Sequence, residues 1–403
     1  LETPHSAGEE KTMPRQSPLS MMQTPEQRAR QMSRARTAPR RRWPLWAPVA
    51  VIILLAALWS GLWYVSASVA DRALAGWVER EAAAGRAYSC GSETIGGFPF
   101  DIRARCADVT AEIKNSQPPY SVGAKALDFV AEVYRPTRLI GDVTGPLTVA
   151  TTGQPPSLAA DWTRARLVVS GLPPYPDTLS IELNAPHLDR AGGGESLFNA
   201  KRADFHARIA EGSPRDHPIV DMTLHLAGAS ATFHRLLGQP IDGDIDATVR
   251  GLTDLAPKPW ADRMREIQAA GGGIEIKSFR FTQVNAVVVG AGTLGLSAEG
   301  KLNGVVRVAI VGIEQIVPQL GVDRMIGQGL DQLSGGSGTL ERLVPGLSET
   351  IRETANASVI ENLKKMGEPT AIDNRPAILL PLRFVNGTIY LGMLRIGEAP
   401  AMF

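Results

Sequence analysis

The chain has 403 residues, of which 44% are hydrophobic and 21% charged, enough length and apolar content for one large domain or two modest ones. The formal net charge of +1 is unevenly divided: residues 1–42 hold nine Lys/Arg and four Glu, leaving 33 basic and 37 acidic residues for the remainder. The bulk of the chain is therefore slightly acidic, which argues against a nucleic-acid partner.

The segment before Trp43 is rich in Pro, Ser, Gln, Arg and Met and has no apolar period, so residues 1–42 are expected to form a disordered, basic tail. Because the first residue is Leu1, the sequence is expected either to be a fragment or to begin properly at Met21 or Met22. Leu45 to Val65 then runs without a charge, the length that crosses a hydrocarbon core as a helix, and residues 43–65 are read as a transmembrane helix. Trp43 and Trp46 mark one interface and Trp59, Trp63 and Tyr64 the other. Arg40, Arg41 and Arg42 precede the span, whereas Asp71–Arg72 after it carries no net charge. The positive-inside rule then puts the N-terminus in the cytoplasm and the main domain outside. Two other readings are a cleaved signal peptide, with Ser66-Ala67-Ser68 as small residues, and a buried core helix. The uncharged run is long for either.

Residues 66–85 continue as a juxtamembrane amphipathic helix, with Val69, Ala73, Leu74, Trp77 and Val78 in one stripe and Gly85 as the stop. Cys90 and Cys106 are the only cysteines. In an oxidising compartment such a pair is expected to bridge, contributing roughly 3 kcal/mol through loop closure. The alternative is two buried thiols; a metal site lacks further ligands nearby. Gly96-Gly97-Phe98-Pro99-Phe100 permits a sharp turn, with Phe98 and Phe100 expected to plug the start of a core.

From here, residues 86–403 read mostly as strands, with an internal boundary entertained near 256–273. Ile245, Ala247 and Val249 alternate with polar neighbours as a half-buried strand. Asn386-Gly387 predicts a two-residue hairpin pairing Phe384 with Ile389, Leu382 with Leu391 and Leu380 with Met393. Asn303-Gly304 predicts a second hairpin, pairing Leu302 with Val305 and Leu296 with Val311. Helices are expected over Pro259–Ala270, Asp323–Leu333 and Leu347–Met366, with a loop at Ser334–Thr339. The order suits antiparallel sheets rather than βαβ units: a mainly β fold with appended helices, behind one N-terminal transmembrane helix.

Motifs that carry chemistry are weak here. Gly290-Ala291-Gly292-Thr293-Leu294-Gly295 matches a dinucleotide fingerprint, but no helix opens at its third glycine, so a strand–turn–strand coincidence is expected. Asp242-Gly243-Asp244-Ile245-Asp246 imitates a calcium loop but has Ala247 where Gly is needed and Thr253 where Glu is needed. His187, His206, His217, His225 and His234 show no metal-binding spacing, and there is no nucleophile elbow or P-loop. No catalytic residue, metal ligand or cofactor is assigned.

The span, Trp77, Gly85, Cys90, Gly96-Gly97-Phe98-Pro99-Phe100 and Cys106, with Pro381-Leu382-Arg383-Phe384, Asn386-Gly387, Leu391-Gly392 and Ile396-Gly397, resemble the two ends of the uncharacterised bacterial family called domain of unknown function 2125. The resemblance covers roughly residues 45–403; Met393 and Arg395 depart from the small or apolar residues expected in its last strand. It implies a single-pass bacterial inner-membrane protein that faces the periplasm and has no established activity. A looser likeness to AsmA-type envelope proteins suggests lipid handling. The expected function is therefore non-enzymatic binding of lipid or another apolar ligand in envelope maintenance, with Val306, Val308 and Ile310 as the apolar ligand face. The expected partners are the lipid bilayer and a lipid or another envelope protein, without nucleic acid. The alternatives are a periplasmic scaffold with a filled core and a hydrolase with dispersed catalytic residues.

Overall fold

Alternating apolar and polar residues separated by short turns build long antiparallel strands, most of them paired to a neighbour in sequence. The computed structural model describes residues 46–172, 176–233, 237–256, 258–320 and 347–403. The basic tail, His234, the helix expected at Asp323–Leu333 and the loop Ser334–Thr339 lie outside the described residues. The chain divides into two compact units, residues 1–58 and 59–403.

Helix α1 is continuous from Ala47 to Ala83, so the expected span and juxtamembrane helix are one element. Among the described residues it is the one helix long and apolar enough to cross a membrane. Its second part stays largely exposed. Trp77 stacks on Tyr88 with ring centroids 4.8 Å apart, and Glu81 is buried against Arg86, whose Nη2 donates to Oε1 at 3.0 Å. The Arg86 hydrogen bond holds the Glu81 carboxyl below its usual range.

Among the described residues twenty-one strands then form one sheet in which every pairing is antiparallel. They are β1 (Arg86–Ser89), β2 (Ser92–Gly96), β3 (Asp101–Ile113), β4 (Tyr120–Glu132), β5 (Arg135–Thr144), β6 (Leu147–Thr151), β7 (Leu158–Asp161), β8 (Arg164–Ser170), β9 (Thr178–Asn184), β10 (His187–Arg190), β11 (Ser196–Asn199), β12 (Arg202–Ser213), β13 (Asp216–Ala231) and β14 (Ile241–Arg250). Helix α2 (Trp260–Ala269) precedes β15 (Gly273–Gln283), β16 (Ala286–Leu296) and β17 (Leu302–Val311). Helices α3 (Ile313–Ile316) and α4 (Leu347–Met366) precede β18 (Glu368–Ile372), β19 (Arg375–Val385), β20 (Thr388–Leu391) and β21 (Leu394–Glu398).

The topology is a meander of long strands interrupted along a common line. β5/β6, β7/β8, β9/β10 and β11/β12 are each one strand broken by a two-residue gap, and the gaps lie opposite one another. The sequence places interrupting residues there. Gly145 precedes Pro146, and a Cβ on it would lie 2.2 Å from Asp161 Oδ1. Ala185 has φ 49° and precedes Pro186, which cannot donate to a ladder. Trp162 Nε1 donates to Val143 O at 2.8 Å, and Gly228 N to Asp242 Oδ1 at 2.7 Å, filling hydrogen bonds that a continuous ladder would have made.

The boundary entertained near 256–273 is instead a helical insertion: β14 and β15 on either side of it pair directly. Within α2, Ile267 is buried while Trp260 remains 64% exposed. Glu266 latches the preceding loop, accepting from Thr253 N at 2.5 Å, Lys258 Nζ at 2.7 Å and Arg263 Nη1 at 2.8 Å. Burial would raise this carboxyl, but those donors outweigh it and hold it down at about 2.

Two hairpin expectations meet different ends. At Asn386-Gly387 the turn has φ 49° and 84°, and Phe384↔Ile389 and Leu382↔Leu391 pair as expected. Leu380 does not pair with Met393, because β20 stops at Leu391 and Gly392–Met393 forms the next turn, with Met393 80% exposed. Asn303-Gly304 is no turn at all. It lies inside β17; the connection runs through Ser297 to Lys301, so Leu296 faces Leu302, and Val311 faces Val287.

Candidate functional site

Residues directly opposite in an antiparallel sheet share a face, so the register converts alternation into surfaces. One row reads Ile95, Ala104, Phe129, Gly141, Leu167, Ile181, Phe205, Leu224, Ile245, Phe279, Gly290, Val308 and Leu380, each paired to the next from β2 to β19. The rows two residues to either side are apolar as well. One runs Cys106, Leu127, Val143, Ala165, Leu183, Ala203, Leu226, Gly243, Phe281, Val288, Ile310 and Ile378; the other runs from Ile102 and Ala131 through Met222 and Ile276 to Val306 and Leu382. The result is an uninterrupted apolar band three side chains wide, running across the strands.

Burial along the band is graded. At its C-terminal end Val306, Val308, Ile310 and Leu380 are buried with Leu391 beneath Ile313, Val317 and Leu363 of the helical segments. This corrects the expectation that Val306, Val308 and Ile310 form an open ligand face: α4 covers them, and they are packed core. Further along, Phe129, Leu167, Ile181, Phe205, Leu224 and Ile245 are only half-buried. The band that can receive a ligand is therefore carried by β4 to β14, strands that the sequence marks only by their alternating pattern.

The opposite face is charged from β3 to β15 and apolar beyond, where Val287, Ala309, Val311, Ile372 and Ala377 form a second buried cluster. The row Arg105, Asp128, Asp142, Arg166, Glu182, Asp204, His225, Asp244 and Arg280 runs directly beside the apolar one. A groove of about 720 Å³ lies there, lined by Asp204, His206, His225, Asp244, Lys277, Arg280 and Arg307 among others. Several of its charges are paired within the groove or with residues beside it. His225 Nδ1 lies 2.6 Å from Asp244 Oδ1, Lys277 Nζ 2.6 Å from Asp221 Oδ1, and Arg280 pairs with Asp373. Asp221 also accepts from Thr248 Oγ1 at 2.7 Å and Arg208 Nη2 at 2.8 Å, and these donors, Lys277 first, hold its carboxyl at about 2.

His206 Nδ1 is 2.9 Å from Ser180 Oγ, the one place where a histidine meets a hydroxyl beside this groove among the described residues. Both neighbours of Ser180 across the sheet, Val168 and His206, pair with it in the ladder. Backbone N–H groups engaged in that ladder are not free to form an oxyanion hole. The contact fits a cross-strand polar pair better than a nucleophile. His187 and His217 are exposed on other strands, and among the described residues no three His, Cys, Asp or Glu side chains are placed to hold a metal ion. Gly290-Ala291-Gly292 lies inside β16, where a Cβ on Gly290 would meet the Phe279 ring at 2.7 Å; the glycines admit cross-strand side chains, and no helix follows.

Near α1, Cys90 and Cys106 are bridged, with Cα atoms 5.5 Å apart. The Gly96–Phe100 loop departs from expectation. Phe98 and Phe100 are 57% and 61% exposed, so they plug no core. They meet the indoles of α1 instead: Trp63 and Phe98 stand edge-on at 5.5 Å, and Trp59 and Phe100 are 6.4 Å apart.

These features define a mainly antiparallel β protein behind an N-terminal helix able to span a membrane. Residues 63–400 match the model of a family described as an uncharacterised protein conserved in bacteria, domain of unknown function 2125, and the chain belongs to that family. No curated protein and no solved structure matches it.

Proposed function

We propose that the protein is a non-enzymatic module, held at the bacterial inner membrane with its β-domain in the periplasm, that takes an acyl chain along the half-buried part of the apolar band. The carrying observation is that band: three adjoining rows of apolar side chains, buried under helices at one end and half-buried from β4 to β14. Strands spaced about 4.8 Å apart put Leu167 and Ile245 about 19 Å apart, the scale of a long acyl chain. Each buried methylene contributes about 0.8 kcal/mol, so such a chain binds without any specific polar contact. The disulfide supports the compartment, because such bridges persist in oxidising surroundings. Native mass spectrometry of the full chain, released from nanodiscs, tests the reading. Wild type and Thr223→Asp, altered on the charged face, are expected to retain phospholipid. The double variant Ile181→Asp/Leu224→Asp is expected to lose it while remaining folded. Equal retention in all three would remove the apolar band as the site.

A further inference from the structure

We propose that the Gly96–Phe100 loop is a second membrane contact: Phe98 and Phe100 are immersed in the bilayer beside α1, which sets the β3 end of the apolar band at the lipid surface. The contacts to α1 fix the level of the loop. Trp59 Nε1 donates to Pro99 O at 2.8 Å and Trp63 Nε1 to Asp101 O at 2.7 Å. The first charged residue after the apolar run is Asp71. At 1.5 Å rise per residue, Trp63 lies about 12 Å and Trp59 about 18 Å of helix before it, within the uncharged stretch. A loop tied to those two indoles is held at the level of the interface they mark, with Phe98 and Phe100 on the bilayer side and the Asp101–Arg103 pair at the headgroups.

Four of the loop's carbonyls already have donors, which lowers the cost of placing it at the bilayer. Irregular backbone enters an apolar medium only where its polar groups are satisfied. The Gly97, Pro99, Phe100 and Asp101 carbonyls accept from Asp101 N, Trp59 Nε1, Val133 N and Trp63 Nε1, and Pro99 has no N–H to satisfy. The side chains presented outward are the two phenylalanines, and Tyr134, next to the Val133 that binds Phe100 O, is 61% exposed beside them. Exposed Phe with Tyr and Trp at its margin is the composition of a membrane interface. Ile102, two residues beyond Phe100, is the first member of an apolar row. A lipid reaching the band from the bilayer meets it there, a consequence that rests on the function proposed above.

The test uses the full chain in nanodiscs of equal phosphatidylethanolamine and phosphatidylglycerol, with benzoylphenylalanine at position 98 or 100, and at Val385, an exposed residue at the end of β19, as reference. Illumination is expected to give lipid adducts at 98 and 100 and none at 385. No lipid adduct at 98 and 100, or adducts to a protein instead, overturns the proposal. The two readings fail separately. Adducts at 98 and 100 with no lipid lost from Ile181→Asp/Leu224→Asp keep the membrane contact and remove the acyl site; the reverse pattern does the opposite.

Discussion

The apolar band can be interrogated by making the same truncation at two points of one row. Leu380 is 1% exposed and packs among Val308, Leu363 and Leu391. Leu380→Ala removes buried carbons and leaves a cavity between the sheet and α4, which costs about 3–5 kcal/mol. Ile181 lies in the same row on β9 but is only half-buried. Ile181→Ala removes a similar number of carbons, yet water or ligand already reaches the site and no closed cavity forms. The cost is then the transfer contribution of the area removed, about 1–2 kcal/mol. Urea unfolding of the full chain in detergent micelles, followed by circular dichroism, compares the two. The polar counterparts sharpen the contrast: Ile181→Asp places a carboxylate where solvent reaches it, whereas Leu380→Asp buries one without a partner and prevents folding. If Ile181→Ala destabilises as much as Leu380→Ala, the middle of the band is a closed core and the reasoning fails.

Three further outcomes follow from the same structure. Alkaline phosphatase fused after Phe403 is expected to be active and green fluorescent protein there dark, and non-reducing peptide mapping of protein from the envelope is expected to give one Cys90–Cys106 peptide; the reverse fusion pattern or two free thiols would overturn the periplasmic placement. Gly387→Val forces a β-branched residue to φ 84° beside Ala399 O and is expected to cost more than about 1 kcal/mol, read as a lowered melting temperature. Asp221 is depressed from 3.8 to about 2, so its contribution is complete above pH 4 and is lost as pH falls through the folded value. With partial exposure discounted, that is about 1 kcal/mol, and Asp221→Asn is expected to flatten the acid limb of the stability curve without abolishing it, since Glu266 still titrates. An unchanged acid limb would show that Lys277, Arg208 and Thr248 do not hold Asp221 in solution.

The elements legible in the sequence were those set by local chemistry. The uncharged run at Leu45–Val65 gave α1, and the apolar spacing from Leu347 with Gly367 as stop gave α4 with its observed limits. Asn386-Gly387 gave a correct turn because both residues take positive φ, while the identical dipeptide at 303–304 lies inside a strand. Local turn preference gives way when a neighbouring loop, here Ser297–Lys301, closes the hairpin first. The band itself was illegible. It needs the register of twelve successive strand pairs, each set by turn length and bulges, and a one-residue slip at any of them would move half the side chains to the other face. Val306, Val308 and Ile310 read as apolar and the Leu347–Met366 helix as able to cover one face of their strand, but local sequence does not say which face; Leu363 covers this one. The exposure of Phe98 and Phe100 is illegible for a similar reason: nothing local links them to Trp59 and Trp63, some forty positions earlier, which the sequence marks only as interface residues.

The most direct test of lipid binding along the band is a photo-crosslinking scan of neighbouring residues on opposite faces of the middle strands, in the full chain within cell membranes. Benzoylphenylalanine at Leu167, Ile181, Phe205 and Leu224 is predicted to yield lipid adducts. At the adjacent Arg166, Glu182, Asp204 and His225 it is predicted to yield none, giving an alternation with a period of two. Adducts on both faces alike, or on neither, would contradict the account.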